Sequence, residues 1–113
     1  MTTEATFDDF LKLDIRMGKV IDVQPFPKAR KPAWKLWIDF GDDIGIKKSS
    51  AQIMEHYTQE DLMNRYVLAV TNFPPRQIAD FMSECLTLGV YDAEEKVRLL
   101  EVEGNIPLGA KVC

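Results

Sequence analysis

Few residues in this 113-residue chain have the chemistry of a reaction. His56 is its single histidine. A general base needs a nucleophile and an orienting partner within hydrogen-bond reach, and no local motif around Glu55 and Tyr57 supplies them. His56 therefore reads as a plain surface side chain. The acidic pairs Asp8-Asp9, Asp42-Asp43 and Glu94-Glu95 sit at turns and helix starts, which carboxylates solvate and cap. Cys85 and Cys113 form no CxxC pair, and with one histidine they offer no zinc-ligand spacing. Cys85 reads as a small buried hydrophobe, and neither thiol is expected to do required work. Gly41 and Gly45 do not open a helix, so no phosphate-cradling loop is present. No catalytic residue, cofactor site or metal site is expected. The residues describe a binding protein, not an enzyme.

Two features have the chemistry of binding. Lys28, Arg30, Lys31 and Lys35 lie close together, and Lys47-Lys48 falls on the strand that should pair with Lys35's. Such a cluster is either a solvated face or a surface for anions. Trp37 lies on the outer face of a strand whose inner face is already apolar. A large aromatic there calls for a partner: another subunit, an overlying helix, a ligand or a stacked base.

The elements that must position these residues follow from periodicity. Trp34, Leu36, Ile38 and Phe40 share one face of Trp34–Phe40, with Lys35, Trp37 and Asp39 on the other, a period of two that only a strand produces. Gly41-Asp42-Asp43 turns the chain, and Ile44–Lys48 returns as the hairpin partner. Thr6 caps a short helix over 7–13, with acids in its first turn. Residues 15–24 are extended and stop at Pro25-Phe26-Pro27. Ser50 to Tyr57 reads as a short helix, and Thr58-Gln59-Glu60-Asp61 resembles a capping box before another helical turn. Tyr66–Phe73 is an apolar strand closed by Pro74-Pro75. Leu86–Tyr91 and Lys96–Leu100 form a hairpin across Asp92–Glu95, and residues 106–112 make a turn leading into a last short extended piece. Five main strands with a helical link between the third and fourth match a five-stranded OB-fold β-barrel, all-β dominated, with short helices and terminal extensions.

Composition agrees with one domain over residues 1–113. Apolar residues make up 46% and charged residues 28%, which excludes a disordered chain. The formal net charge is −4. All of it lies in the last third, where Lys96, Arg98 and Lys111 face Asp80, Glu84, Asp92, Glu94, Glu95, Glu101 and Glu103, so a basic surface upstream remains. Apolar runs are far shorter than the ~20 residues that span a bilayer. The amino terminus has neither the positive start nor the apolar stretch of a signal peptide. With so few cysteines, a reduced cytoplasm is the expected compartment, without membrane insertion.

The segments Phe10-Leu11-Lys12-Leu13-Asp14-Ile15-Arg16-Met17-Gly18, Ile38-Asp39-Phe40-Gly41, Gly45–Ile53, Asn72–Ala79 and Ser83–Gly89 occur in order. Together they resemble the tRNA-binding OB-domain family that accompanies some methionyl- and phenylalanyl-tRNA synthetases, and within it the CsaA-like branch. The resemblance runs from about Phe7 to Val112. It implies a cytoplasmic homodimer that holds unfolded or secretory polypeptides without nucleotide, with relatives that bind tRNA by shape. Ser83 matches the serine of the relatives' Ser-x-x-Met signature, and Leu86 stands at the methionine. Lys47, Lys48, Ser49 and Ser50 match the basic-polar strand end, and Asn72 and Arg76 match the Asn-Phe-Pro-Pro-Arg loop. With Lys35 and Trp37 these complete the candidate polypeptide- or tRNA-binding set. Where the CsaA-like pattern reads Arg-Arg-Ile-Ala-Gly-Phe-Lys-Ser, this chain reads Arg76-Gln77-Ile78-Ala79-Asp80-Phe81-Met82-Ser83. Two positive charges are replaced and one negative charge is added. Phosphate neutralisation supplies most non-specific RNA affinity, so the change favours polypeptide over tRNA. The homodimer is expected to use the amino-terminal helix and the carboxy-terminal strand, with Phe7, Phe10, Trp37 and Leu108 as exposed apolar candidates.

Overall fold

The computed structural model describes residues 3–113. Helix α1 (Phe7–Leu11) starts from a reciprocal capping box: Thr6 Oγ1 accepts from Asp9 N, and the Asp9 carboxylate accepts from Thr6 N at 2.9 Å. It stops before residue 13. Asn72 takes over there, donating Nδ2 to Lys12 O and accepting Asp14 N at Oδ1, both at 2.8 Å.

A five-stranded antiparallel sheet follows, built from β1 (Ile15–Pro25), β2 (Trp34–Asp39), β3 (Ile46–Ala51), β4 (Tyr66–Val70) and β7 (Leu86–Thr87) in the order β3-β2-β1-β4-β7. Helix α2 (Gln59–Leu62) links β3 to β4 and is capped by Thr58 and Asp61 as the sequence suggests. The two edge strands meet and nearly close the barrel. Ser49 Oγ and Thr87 Oγ1 are 2.8 Å apart, and Cys85 N donates to Lys48 O at 3.2 Å. This is an OB-fold-like barrel. Its core is Val20, Val23, Leu36, Ile38, Phe40, Leu62 and Val67, all essentially solvent-free. A bulge between Val20 and Asp22 lets the long β1 serve two partners, pairing β4 through its first half and β2 through its second.

Five expectations change. Ser50 to Tyr57 is not a helix: Ser50 and Ala51 extend β3, pairing with Lys35 and Trp34, and the chain turns over 54–56. The β2 ladder claims these residues before any helix can form. Strand β3 starts at Ile46 because Gly45, at φ 80°, still closes the turn with its N bonded to Gly41 O. Strand β4 stops at Val70: Thr71 N still donates to Asp14 O in the same register, but Asn72 turns its amide to Lys12 and Asp14 and Pro74-Pro75 follow. The 86–91 run divides at Leu88. Its first part is β7 beside β4, and β8 (Gly89–Tyr91) then pairs with β9 (Val97–Leu99). Residues 76–83 form a hairpin that periodicity does not signal, β5 (Arg76–Ile78) with β6 (Phe81–Ser83), turned by Ala79 at φ 52° and Asp80.

The carboxy-terminal segment is part of the subunit's own fold, not a free extension. Met17 N donates to Ala110 O, Gly109 N to Met17 O, and Val112 N to Ile15 O, so it completes the start of β1 where β2 does not reach. Of the four apolar residues named for a partner, only Phe7 is largely exposed; Phe10, Trp37 and Leu108 are half-buried.

Gly18 lies where β1 crosses the core most tightly. A Cβ there would meet Ile38 Cγ2 at 2.5 Å and the Phe40 ring at 2.8 Å. Gly18→Ala is expected to cost about 1–3 kcal/mol by overpacking. Urea unfolding checks it, with Gly45→Ala as the open-space comparison for a glycine at positive φ.

Candidate binding groove and its cationic-aromatic flank

Strand pairing decides which candidate side chains share a face. Lys35 stands opposite Ser50 and Trp37 opposite Lys48, so these four project together from the outer face of β2–β3. Leu36 and Ile38 stand opposite Ser49 and Lys47, on the barrel side. The outer face is covered from within the chain. Phe81 of β6 wedges between Phe26, at 5.5 Å and 62°, and Trp37, at 5.8 Å and 74°, both edge-on. Lys35 Nζ lies 4.9 Å from the Phe26 ring centre and 5.3 Å from that of Phe81. Lys48 Nζ lies 5.3 Å from the Phe81 ring centre. Both are cation–π distances. Trp37 is thus half-buried under Phe81; neither an overlying helix nor a partner chain is needed to cover it. At the hairpin tip Lys28 Nζ bonds the Asp80 carboxylate at 3.0 Å, and that bond holds the Asp80 carboxyl below its usual range.

Beside this cluster runs an open groove of about 1130 Å³. One wall is the 29–33 loop with Arg76 and Ile78 of β5; the other is the 54–56 turn with Tyr91 and the β8–β9 tip. Its exposed apolar residues are Met54, Phe73, Leu86 and Tyr91. Two cross-links fix the second wall: His56 Nε2 to Asp92 Oδ2 at 3.0 Å, and Lys96 Nζ to Glu55 at 3.5 Å. His56 is therefore not a plain surface residue. It and Asp92 are each 23% exposed, and the turn that carries His56 is not helical. Asp92 also accepts from Lys96 N, Glu94 N and Arg98 Nε. Those bonds, Lys96 N foremost, pull its carboxyl down to about 2.

The nine candidate residues divide accordingly. Lys35, Trp37 and Lys48 belong to the cationic-aromatic cluster. Ser50, Arg76 and Ser83 line the groove, with Ser83 Oγ accepting from Ser50 N at 3.3 Å. Ser49 is wholly buried and its hydroxyl bonds Thr87, so it closes the barrel instead of facing the groove. Lys47 projects on the opposite face from Lys48. Asn72 spends its amide on Lys12 and Asp14, in the link between α1 and β1. The departures Gln77 and Met82 pair with each other and face solvent, on the opposite side of the hairpin from Phe81. Sequence reasoning missed Phe26, Phe81, Met54 and Tyr91. Phe81 had no sequence signal: the turn that doubles the chain back onto β3 is made by Ala79, a non-glycine residue at positive φ.

With this geometry in place, the class is defined: a small OB-fold-like barrel with a groove and a lysine-flanked aromatic cluster. The chain belongs to the family described as "Putative tRNA binding domain", whose model matches residues 15–111. It is 39% identical over 94% of its length to a methionine–tRNA ligase of Pyrococcus abyssi, of which it spans 14%. The CsaA chaperone protein of Picrophilus torridus is 48% identical, with TM-score 0.91 over 97% of this chain and all of that one. The CsaA chaperone of Bacillus anthracis is 46% identical, with TM-score 0.90 over 98% of this chain and all of that one. A MetRS-related protein of Pyrococcus horikoshii, 23% identical with TM-score 0.88, shares the fold. Among the described residues no helix is long and apolar enough to cross a membrane.

Two titrations check this geometry. Cys85 is buried, and burial pushes its thiol up to about 12, so only the exposed Cys113 should react with a thiol reagent at pH 8 in the folded protein. Asp92 titrates near 2 instead of 3.8, so its stabilisation is present above the ordinary carboxylate range and is lost as pH falls through about 2. Asp92→Asn should be less stable than wild type near neutrality, with the gap in thermal midpoint narrowing as pH falls from about 4 to 2.

Proposed function

We propose that this protein is a CsaA-like holding chaperone of the cytoplasm. It takes extended segments of unfolded or secretory polypeptides into the groove, without nucleotide, as a homodimer. The observation that carries this reading is the groove: it presents four exposed apolar side chains, Met54, Phe73, Leu86 and Tyr91, beside polar walls. Contiguous exposed apolar surface on a small domain marks an interaction site. The two CsaA proteins it resembles at 48% and 46% identity support the same reading. Phe7 and Leu11, exposed on α1, are the residues offered to a second copy.

A tRNA-binding reading rests on a different observation. Lys35 and Lys48 hold their ammonium groups over one ring, and among the described residues neither has a carboxylate partner. They are therefore available to phosphates. Trp37 beside them is half-buried under Phe81, which limits base stacking there, and the chain's net charge of −4 opposes a polyanion.

The test titrates a labelled apolar peptide and labelled tRNA against wild type and Lys35→Glu/Lys48→Glu at low and high salt. Circular dichroism checks that the variant keeps its fold. Peptide affinity should survive salt and change little in the variant. Any tRNA affinity should fall steeply with salt, with a slope shallower in the variant by about one for each phosphate it no longer neutralises. Tight, salt-resistant tRNA binding with no peptide capture contradicts the chaperone reading. Light scattering should give twice the 12.9 kDa chain mass; a monomer at micromolar concentration contradicts the dimer.

A further inference from the structure

The strand that forms one lip of the groove has an unused edge. Strand β8 pairs with β9 alone. Asp92 N donates to Lys96 O at 2.8 Å, Leu100 N donates to Leu88 O, and between them Val90 stands opposite Arg98. Alternate residues of an antiparallel strand turn their backbone groups to opposite sides. The even-numbered residues of this strand face β9, so Gly89 and Tyr91 turn their N–H and C=O outward.

The edge is short, three residues, but no charge or proline lies within it. Val90 and Tyr91 are 55% and 77% exposed. Tyr91 faces the groove, where Leu86 and Phe73 are also exposed. Gly89 lets β8 lie close against β9: a Cβ there would meet Arg98 O and Val97 Cγ1, both at 2.6 Å.

We infer that an extended polypeptide segment docks by adding to β8 as an antiparallel strand. This rests on the groove reading above and names how the groove recognises its occupant. The segment's residues opposite Gly89 and Tyr91 each exchange backbone bonds with them. Directly opposed residues share a face, so those same residues send their side chains to the Tyr91 side, into the apolar groove. Recognition is then largely independent of sequence, which suits a holder of unfolded chains, and asks only for apolar residues at alternate positions.

Charge sets the direction. Ser83, three residues before β7, pairs with Arg76, so the Leu86 end of the 86–91 run is the end nearer the basic wall. Arg30 and Lys31 stand on that same wall, and among the described residues these three cations have no ion-pair partner. Glu84 also lines the groove near Leu86, so that end sets three cations against one carboxylate, while the opposite wall sets Glu55 and Glu95 against Lys96, which pairs with Glu55. A strand running antiparallel to β8 carries its carboxy-terminal side toward Arg30, Lys31 and Arg76. The occupant that fits is apolar at alternate positions and acidic at its carboxy-terminal end.

The experiment uses fluorescein-labelled peptides of alternating Leu and Thr ending in Asp-Asp, titrated by anisotropy into the full chain. In one set the leucines are N-methylated, in the other the threonines. Methylated leucines should weaken binding about tenfold or more, since backbone bonds are lost, and methylated threonines should bind like the parent. Moving Asp-Asp to the amino-terminal end should weaken binding about fivefold at low salt. Equal effects of the two methylations, or weakening only with methylated threonines, overturns the antiparallel strand addition while leaving the groove reading intact. If the unmodified peptide does not bind, or an RNA oligonucleotide occupies the groove and excludes it, the groove reading fails and the strand addition with it. Tyr91→Ala, which keeps the outward N–H, should bind more tightly than Tyr91→Pro, which removes it without touching the β9 ladder; the reverse order contradicts the pairing.

Discussion

The wedging of Phe81 between Phe26 and Trp37 is the interaction on which the arrangement of the binding surface depends. Strand β2 has two apolar-bearing faces, and a barrel can absorb only one. Leu36 and Ile38 enter the core, which leaves Trp37 outside with Lys35. Phe81 resolves that by bringing the β5–β6 hairpin over the sheet as a second, smaller apolar cluster with Phe26 and Ala33. Packing of Phe81 on Phe26 and Trp37 and the Lys28–Asp80 pair hold the hairpin in place, and two ammonium groups lie over the Phe81 ring. Because the hairpin lies there, Arg76 and Ile78 become one wall of the groove.

The opposite wall is a matter of polar bonds. Asp92 gathers two backbone N–H groups, Arg98 and His56, and the Glu55–Lys96 pair runs alongside. A three-residue strand such as β9 has little ladder of its own, and a short hairpin is marginal without further support. A carboxylate accepting several charge-assisted bonds supplies what the ladder lacks. The groove thus has one wall set by aromatic packing and one set by a carboxylate hub, with the apolar floor between them.

Much of the barrel was legible because its strands alternate cleanly. The period of two in Trp34–Phe40 identified β2 and its buried face, and the Thr58–Asp61 capping box located α2. What failed did so for tertiary reasons. Ser50 and Ala51 carry no strand signature and become strand only because Lys35 and Trp34 stand opposite them. Residues 76–83 are too short for periodicity to speak, and a non-glycine residue at positive φ, Ala79, is not a turn signal that composition reveals. Candidate residues chosen by proximity in sequence, such as Lys47-Lys48-Ser49-Ser50, were divided by the pleat: Lys48 and Ser50 face outward, and Ser49 is sealed in the barrel. His56 and Asp92 were each read as isolated because 36 residues separate them; only the fold brings them to 3.0 Å.

Whether the groove, and not the lysine-flanked aromatic cluster, receives the ligand is the central claim. The most direct measurement is a backbone amide spectrum of the isotopically labelled protein, titrated with an unlabelled extended apolar peptide. The expected result is that shifts concentrate at Met54, Phe73, Leu86, Gly89 and Tyr91, while Lys35, Trp37 and Phe81 stay near their free positions. Shifts centred on Lys35, Trp37, Lys48 and Phe81, with the groove residues unmoved, contradict the account.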